Sequence, residues 1–158
     1  MQDLIVSEWR GFRPLSVGGG WAVDDLLFRF LVDLEVQKAQ RLRYCVSLVC
    51  LAAEVAPPEA PESSLPSLAE MVTSSVRATD VVAPWDPASL ALLLVDAETT
   101  HLSSILRRLA ALLGPTAWSA GASCYPITAT RADDMLRQAV DSMVRAREAG
   151  GNRLYVAS

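Results

Sequence analysis

The chain is poor in the residues from which most catalytic and metal sites are built. Its 158 residues include one histidine, His101, and three cysteines, Cys45, Cys50 and Cys124. A single imidazole excludes a histidine-rich metal centre. An odd number of cysteines without a Cys-x-x-Cys spacing indicates neither a disulfide framework nor a zinc site. No G-x-S-x-G elbow is present to serve a nucleophile. The triplet Gly18-Gly19-Gly20 is followed by Trp21 rather than Lys-Ser/Thr, so it is not a nucleotide-binding phosphate loop. No apolar run approaches the roughly 20 residues of a membrane helix. The opening MQDLIVSEWRGFRP has no apolar stretch of the kind that marks a secretory signal. The cysteines are expected to be small core residues in a reducing cytoplasm, and no membrane partner is expected.

Charge is also modest. With 14 Lys+Arg against 18 Asp+Glu the formal charge is −4. That excludes a polyanion-binding face over the whole molecule, so no nucleic-acid partner is expected, although a local basic site remains open. What is present is apolar mass. Hydrophobic residues make up 51% of the chain, enough to fill the core of one domain.

Periodicity orders the chain. Residues 1–20 read as an irregular arm ending in a flexible glycine joint, and residues 21–158 as the domain. Trp21 to Arg43 carries Leu27, Phe30, Leu31, Leu34 and Ala39 near helical spacing, with Asp33, Glu35, Lys38 and Arg41 facing away. Tyr44 to Leu51 is a continuous apolar run and reads as a strand buried on both faces. Residues 55–66, VAPPEAPESSLP, read as a loop. Ser67 with Glu70 forms a capping box opening a helix to Val76. Asp80–Trp85 and Leu90–Val95 read as a hairpin. Thr99 or Thr100 opens a helix stopped by Gly114-Pro115. A strand at Ala117–Tyr125 follows, then a helix capped by Thr130 with the pairs Met135/Leu136, Ala139/Val140 and Met143/Val144. A last strand spans Arg153–Val156. This order predicts an α/β fold, an α+β sandwich whose palm-like, mostly antiparallel sheet has a βαββαβ core flanked by helices.

Several stretches carry a resemblance. Ser119-Ala-Gly-Ala-Ser-Cys-Tyr-Pro126, Leu136, Arg145-Ala-Arg147 and Gly150-Gly-Asn-Arg-Leu154 together resemble the C-terminal half of GGDEF domains. Glu35-x-x-Lys38-Ala39-x-Arg41 with Ser47-Leu-Val-Cys-Leu51 is similar to that family's first helix and strand. Arg77-x-x-Asp80-Val-Val-Ala83 resembles the stretch leading into its signature hairpin. GGDEF domains that act as diguanylate cyclases join two GTP molecules into cyclic di-GMP, using divalent cations on acidic ligands and a glycine hairpin that lets backbone approach the nucleotide. In that register the hairpin is Asp86-Pro87-Ala88-Ser89-Leu90. Pro87 stands where backbone must approach nucleotide, and Ala88 and Ala52 stand where metal carboxylates belong. Glu54 falls at the second acidic position. The guanine-binding segment is replaced by residues 55–66. The phosphate lysine is Arg147, and the next phosphate arginine is Gly151. The resemblance therefore implies a domain that is not an enzyme, with no catalytic residues, no metal and no cofactor.

One ligand-binding feature of the family is matched. Arg77 and Asp80 fall on its RxxD inhibitory motif, five residues before the hairpin, and Arg108 on the arginine that joins it from the next helix. The resemblance implies a cyclic di-GMP site there, within a regulatory signalling domain. Arg77 ending a helix and Asp80 capping a turn is the structural alternative. With 13 arginines and 10 aspartates in the chain, an RxxD spacing arises by chance about once, and Arg131-x-x-Asp134 is a second instance. The functional alternative is a protein-interaction or dimerisation scaffold that binds no nucleotide. Trp85 either packs beneath a helix or is exposed to a partner. Trp9, with Leu4, Ile5 and Val6, suggests that the arm docks on the sheet or on a second subunit.

Overall fold

The computed structural model describes residues 12–14, 20–54, 61–86 and 88–158. Seven strands form one sheet: β1 (Phe12–Pro14), β2 (Trp21–Val23), β3 (Val46–Ala53), β4 (Val81–Asp86), β5 (Ser89–Val95), β6 (Trp118–Tyr125) and β7 (Arg153–Val156). The helices among the described residues are α1 (Asp25–Leu42), α2 (Pro61–Ser74), α3 (Thr99–Leu113) and α4 (Ala132–Glu148). The sheet order is β1-β2-β4-β5-β3-β6-β7. Strand β3 pairs antiparallel with β5 on one side and β6 on the other, and β4 pairs antiparallel with β5. Parallel pairs lie toward the two ends, β2 with β4 and β6 with β7. The expected mostly antiparallel βαββαβ sheet with helices on both faces is what forms.

Strand β3 explains why there are two helical layers. All eight of its residues are buried, and alternate side chains leave opposite faces. Val46, Leu48, Cys50 and Ala52 join Phe28 and Val32 of α1 with Met135 and Ala139 of α4. Val49, Leu51 and Ala53 join Leu68 and Val72 of α2 with Leu102, Leu106 and Leu109 of α3. A strand apolar on both faces needs a cover on each.

Four local expectations are corrected. Trp21–Val23 is a strand, and the helix begins only after Asp24, whose carboxylate accepts from the Leu27 N–H at 2.8 Å. Phe30 and Leu34 do not face the core; α1 is turned so that Phe28, Val32, Glu35 and Val36 are buried. Glu35 is tolerated there because it accepts from the Tyr44 hydroxyl and pairs with Lys38 at 3.2 Å. The stretch 55–66 is not loop throughout, since α2 begins at Pro61, and Ser67 and Glu70 lie inside it rather than at its cap. Proline suits that first helical position, where its fixed φ helps and its missing N–H is not needed. Finally, Arg131, not Thr130, is the N-cap of α4.

The arm expected to be irregular contributes β1, paired antiparallel to β2. Residues 1–11 and 15–19, with the Leu4–Trp9 cluster, lie outside the described residues. Gly20 is buried against other backbone. A Cβ there would meet the Asp80 carbonyl at 2.6 Å and Val76 at 2.8 Å, so close approach rather than flexibility accounts for this glycine. Trp85 is half-buried, its ring edge-on to Phe28 with centroids 6.3 Å apart and Arg29 lying 4.6 Å above it. Packing against α1 is therefore the reading that holds for Trp85. Cys50 and Cys124 are buried, and burial, with a smaller contribution from Asp86, pushes the Cys50 thiol up to about 12.

Two outcomes follow. Gly121 of β6 touches α4 so closely that a Cβ would fall 2.1 Å from the Met143 nitrogen and 2.2 Å from the Ala139 carbonyl. Gly121→Ala is expected to lose about 3 kcal/mol or more in urea unfolding, because backbone rather than a mobile side chain must move. The Cys50 thiol stays protonated in the folded chain, whereas the unfolded thiol ionises near 9.0. The folded state then binds more protons, so stability at alkaline pH is expected to fall from about 9 upward, and Cys50→Ala to flatten that fall.

Candidate functional site

The turn between α2 and β4 is built around one carboxylate. Asp80 is 3% exposed and sits where β4 begins. Its Oδ2 accepts from the Arg77 backbone N–H at 2.9 Å, and the Asp80 N–H donates to the Arg77 carbonyl at 2.9 Å. Its Oδ1 accepts from the Val95 N–H, at the far end of β5, also at 2.9 Å. One side chain thus closes its own turn and fastens it to the neighbouring strand. Backbone donors outside the regular ladder need partners, and here a single buried charge supplies two.

The Arg77 guanidinium lies over this knot. Its Nε is 3.7 Å from Asp80 Oδ2, and its terminal nitrogen donates to the Val95 carbonyl. The side chain is nonetheless 60% exposed. Beyond it opens a cleft of about 330 Å³ whose wall includes Arg77, Asp80 and Arg108. All three site residues expected from sequence are therefore brought together from two separate elements. Arg108 stands on α3, one turn from Ile105 and two from His101, both of which also line the cleft, because residues three to four apart share a helix face. No hydrogen bond or ion pair engages Arg108 among the described residues.

Two further polar residues line the cleft that sequence did not assign to a site. Asp96, in a left-handed conformation with φ 55° just past β5, lines it with an exposed carboxylate. His101, the chain's single histidine, is exposed but occupied. Its Nδ1 accepts from the Glu98 N–H at 3.3 Å at the start of α3. No spacing signalled either one.

The hairpin end of the sheet has a different character. Ala52 is buried and opposite Ser89, and the Ala53 N–H approaches the Ala88 carbonyl at 3.4 Å. The residues that the resemblance sets at metal positions thus lie side by side, and both carry methyl groups. The Asp86 carboxylate accepts from the Ala88 N–H at 2.9 Å, closing its own turn. Pro87 lies outside the described residues. Glu54 is exposed. Gly151 has φ 74° and donates to the Ala146 carbonyl at 2.9 Å, so it serves as a left-handed stop for α4. Among the described residues no three His, Cys, Asp or Glu side chains gather as a metal set, and no helix is long and apolar enough to cross a membrane.

This arrangement of strands, helices and hairpin is shared with solved structures. The chain has the GGDEF-domain fold. The GGDEF domain of YfiN (also TpbB) from Pseudomonas aeruginosa matches with a TM-score of 0.76 at 16% identity, over 85% of this chain and 96% of that one. The active GGEEF domain of a diguanylate cyclase from Vibrio cholerae matches at 0.77 and 12% identity, over 85% and 97%. The GGDEF domain of DgcB from Caulobacter crescentus, in complex with cyclic di-GMP, matches at 0.73 and 12% identity, over 92% and 95%. No family model and no curated protein matches the sequence.

The Asp80 knot makes a direct demand on stability. Asp80→Ala strands two part-buried N–H groups and is expected to cost about 2 kcal/mol, below the sum of roughly 1–3 kcal/mol for each fully buried unsatisfied group. Chemical unfolding measures it, and a loss under about 1 kcal/mol would contradict the anchoring role.

Proposed function

We propose that this GGDEF-like domain is a catalytically inactive signalling module that binds cyclic di-GMP in the cleft beside Arg77, Asp80 and Arg108. The observation that carries the reading is the convergence of Arg77 and Arg108, from two separate elements, on one open cleft. Two guanidinium groups suit a dinucleotide with two phosphates, since each presents planar donors to phosphate oxygens. The cleft is at the small end for a ligand site, and its openness would leave part of a cyclic dinucleotide in solvent. The complex of the Caulobacter crescentus GGDEF domain with cyclic di-GMP makes that ligand the natural probe.

Inactivity rests on the side chains at the hairpin end. Methyl groups at Ala52 and Ala88 cannot ligate a cation, so the charge of two triphosphates would lack its counter-ions. A second reading, a nucleotide-independent interaction scaffold, is favoured by one observation. Leu26, Phe30 and Leu34, at four-residue spacing on α1, are 76%, 60% and 38% exposed, an apolar strip of the kind that protein partners cover.

Calorimetric titration of the pure protein with cyclic di-GMP separates the readings. Micromolar or tighter binding is expected, weakened by Arg77→Ala and about 10-fold or more by Arg108→Ala, as for loss of a charge-assisted hydrogen bond. Unfolding curves should show Arg108→Ala as stable as the parent. Absence of binding leaves the scaffold, and production of cyclic di-GMP from GTP and magnesium overturns the inactive assignment.

A further inference from the structure

We infer that the base-reading acceptor of this cleft is Asp96 rather than Asp80, and that Asp96 selects guanine over adenine. The inference rests on the cyclic-dinucleotide reading above and adds to it the group that would decide the base.

Both Asp80 oxygens are already engaged. Oδ2 holds the Arg77 N–H and Oδ1 the Val95 N–H, each at 2.9 Å, and the side chain is 4% exposed. To accept from a ligand edge it would have to release backbone donors that nothing else satisfies. Asp80 is therefore a positioning residue, holding Arg77 at the rim of the cleft. Asp96 is its opposite. It lines the same cleft, is exposed, and has no hydrogen bond or ion pair to its carboxylate among the described residues. The two aspartates flank Val95, whose N–H and C=O are taken by Asp80 and Arg77 respectively. The same knot that occupies Asp80 thus fixes the backbone from which Asp96 projects.

Chemistry selects the base. A carboxylate is acceptor-only, with two oxygens side by side. Guanine presents two adjacent donors, its ring N1–H and exocyclic amine, which match that pair. Adenine offers a donor beside an acceptor, so one carboxylate oxygen would face a lone pair. A carboxamide reverses the preference, because its oxygen and amide N–H complement adenine's edge. Phosphates would lie toward Arg77 and Arg108, the cations of the cleft.

The test is Asp96→Asn, titrated with cyclic di-GMP and with cyclic di-AMP beside the parent protein. The substitution keeps shape, and asparagine tolerates the left-handed backbone that Asp96 adopts, so unfolding curves should superimpose. The parent is expected to prefer cyclic di-GMP. The variant should bind it at least 10-fold more weakly and lose or invert the preference. Asp80→Asn should lower stability and weaken both ligands alike. A parent that binds both ligands equally, or a variant with unchanged preference, overturns the assignment of Asp96 and leaves the cleft as a cyclic-dinucleotide site. A parent that binds neither removes the site and this inference together.

Discussion

Everything in this domain is arranged around a strand that cannot face water on either side. Strand β3 buries all eight residues, so each face of the sheet must be roofed, and the roof is α1 with α4 on one side and α2 with α3 on the other. Its neighbours are equally constrained. Strand β5 supplies Leu90, Leu92 and Leu94 to one core and Ala91 and Leu93 to the other. A one-residue slip in register would exchange those sets. The cleft is a by-product of this packing, because it opens where the end of β5, the start of β4 and one flank of α3 meet.

At that junction a single buried carboxylate replaces what regular pairing cannot provide. The N–H groups of Arg77 and Val95 both end on Asp80, so a side chain completes the hydrogen bonding of two backbone segments 18 residues apart in sequence. Such a residue carries the signature of a binding motif and the environment of a structural pin. Both descriptions fit the spacing Arg77-x-x-Asp80. Only the partners of each oxygen separate them, and those partners are tertiary.

The main elements were legible because their signals were long. The apolar run at β3, the recurring pairs of α4 and the hairpin turn before β5 each repeat a physical period over several residues. What failed was short or competing. Strand β2 has three residues, too few for a period, and joins directly to a helix whose pattern reads through it. On α1, Leu26, Phe30 and Leu34 form an apolar stripe as regular as the one that is buried, so periodicity alone could not say which side meets the sheet. The start of α2 was hidden by prolines that suit a first turn as well as a loop. Arg77, Asp80 and Arg108 could be named because their offsets match a motif. Asp96 could not, since its place depends on where β5 ends and on a left-handed residue that no composition announces.

Gly20 also has a mechanical side. Its N–H donates to the Thr73 carbonyl at 2.9 Å, and the next residue's N–H donates to the Asp80 carbonyl at 3.0 Å. Strand β2 runs parallel to β4 from there, so tension along the chain at Trp21 loads these bonds in shear, side by side, rather than peeling them singly. The first bond in that load path ends on Thr73 of α2, and the second on Asp80, the residue that holds the turn beside the cleft. A Cβ at Gly20 would meet the Asp80 carbonyl at 2.6 Å, so the two backbones lie in close contact at this point. A load entering at Gly20 and Trp21 is therefore shared between the buried Thr73 of α2 and the turn that borders the cleft.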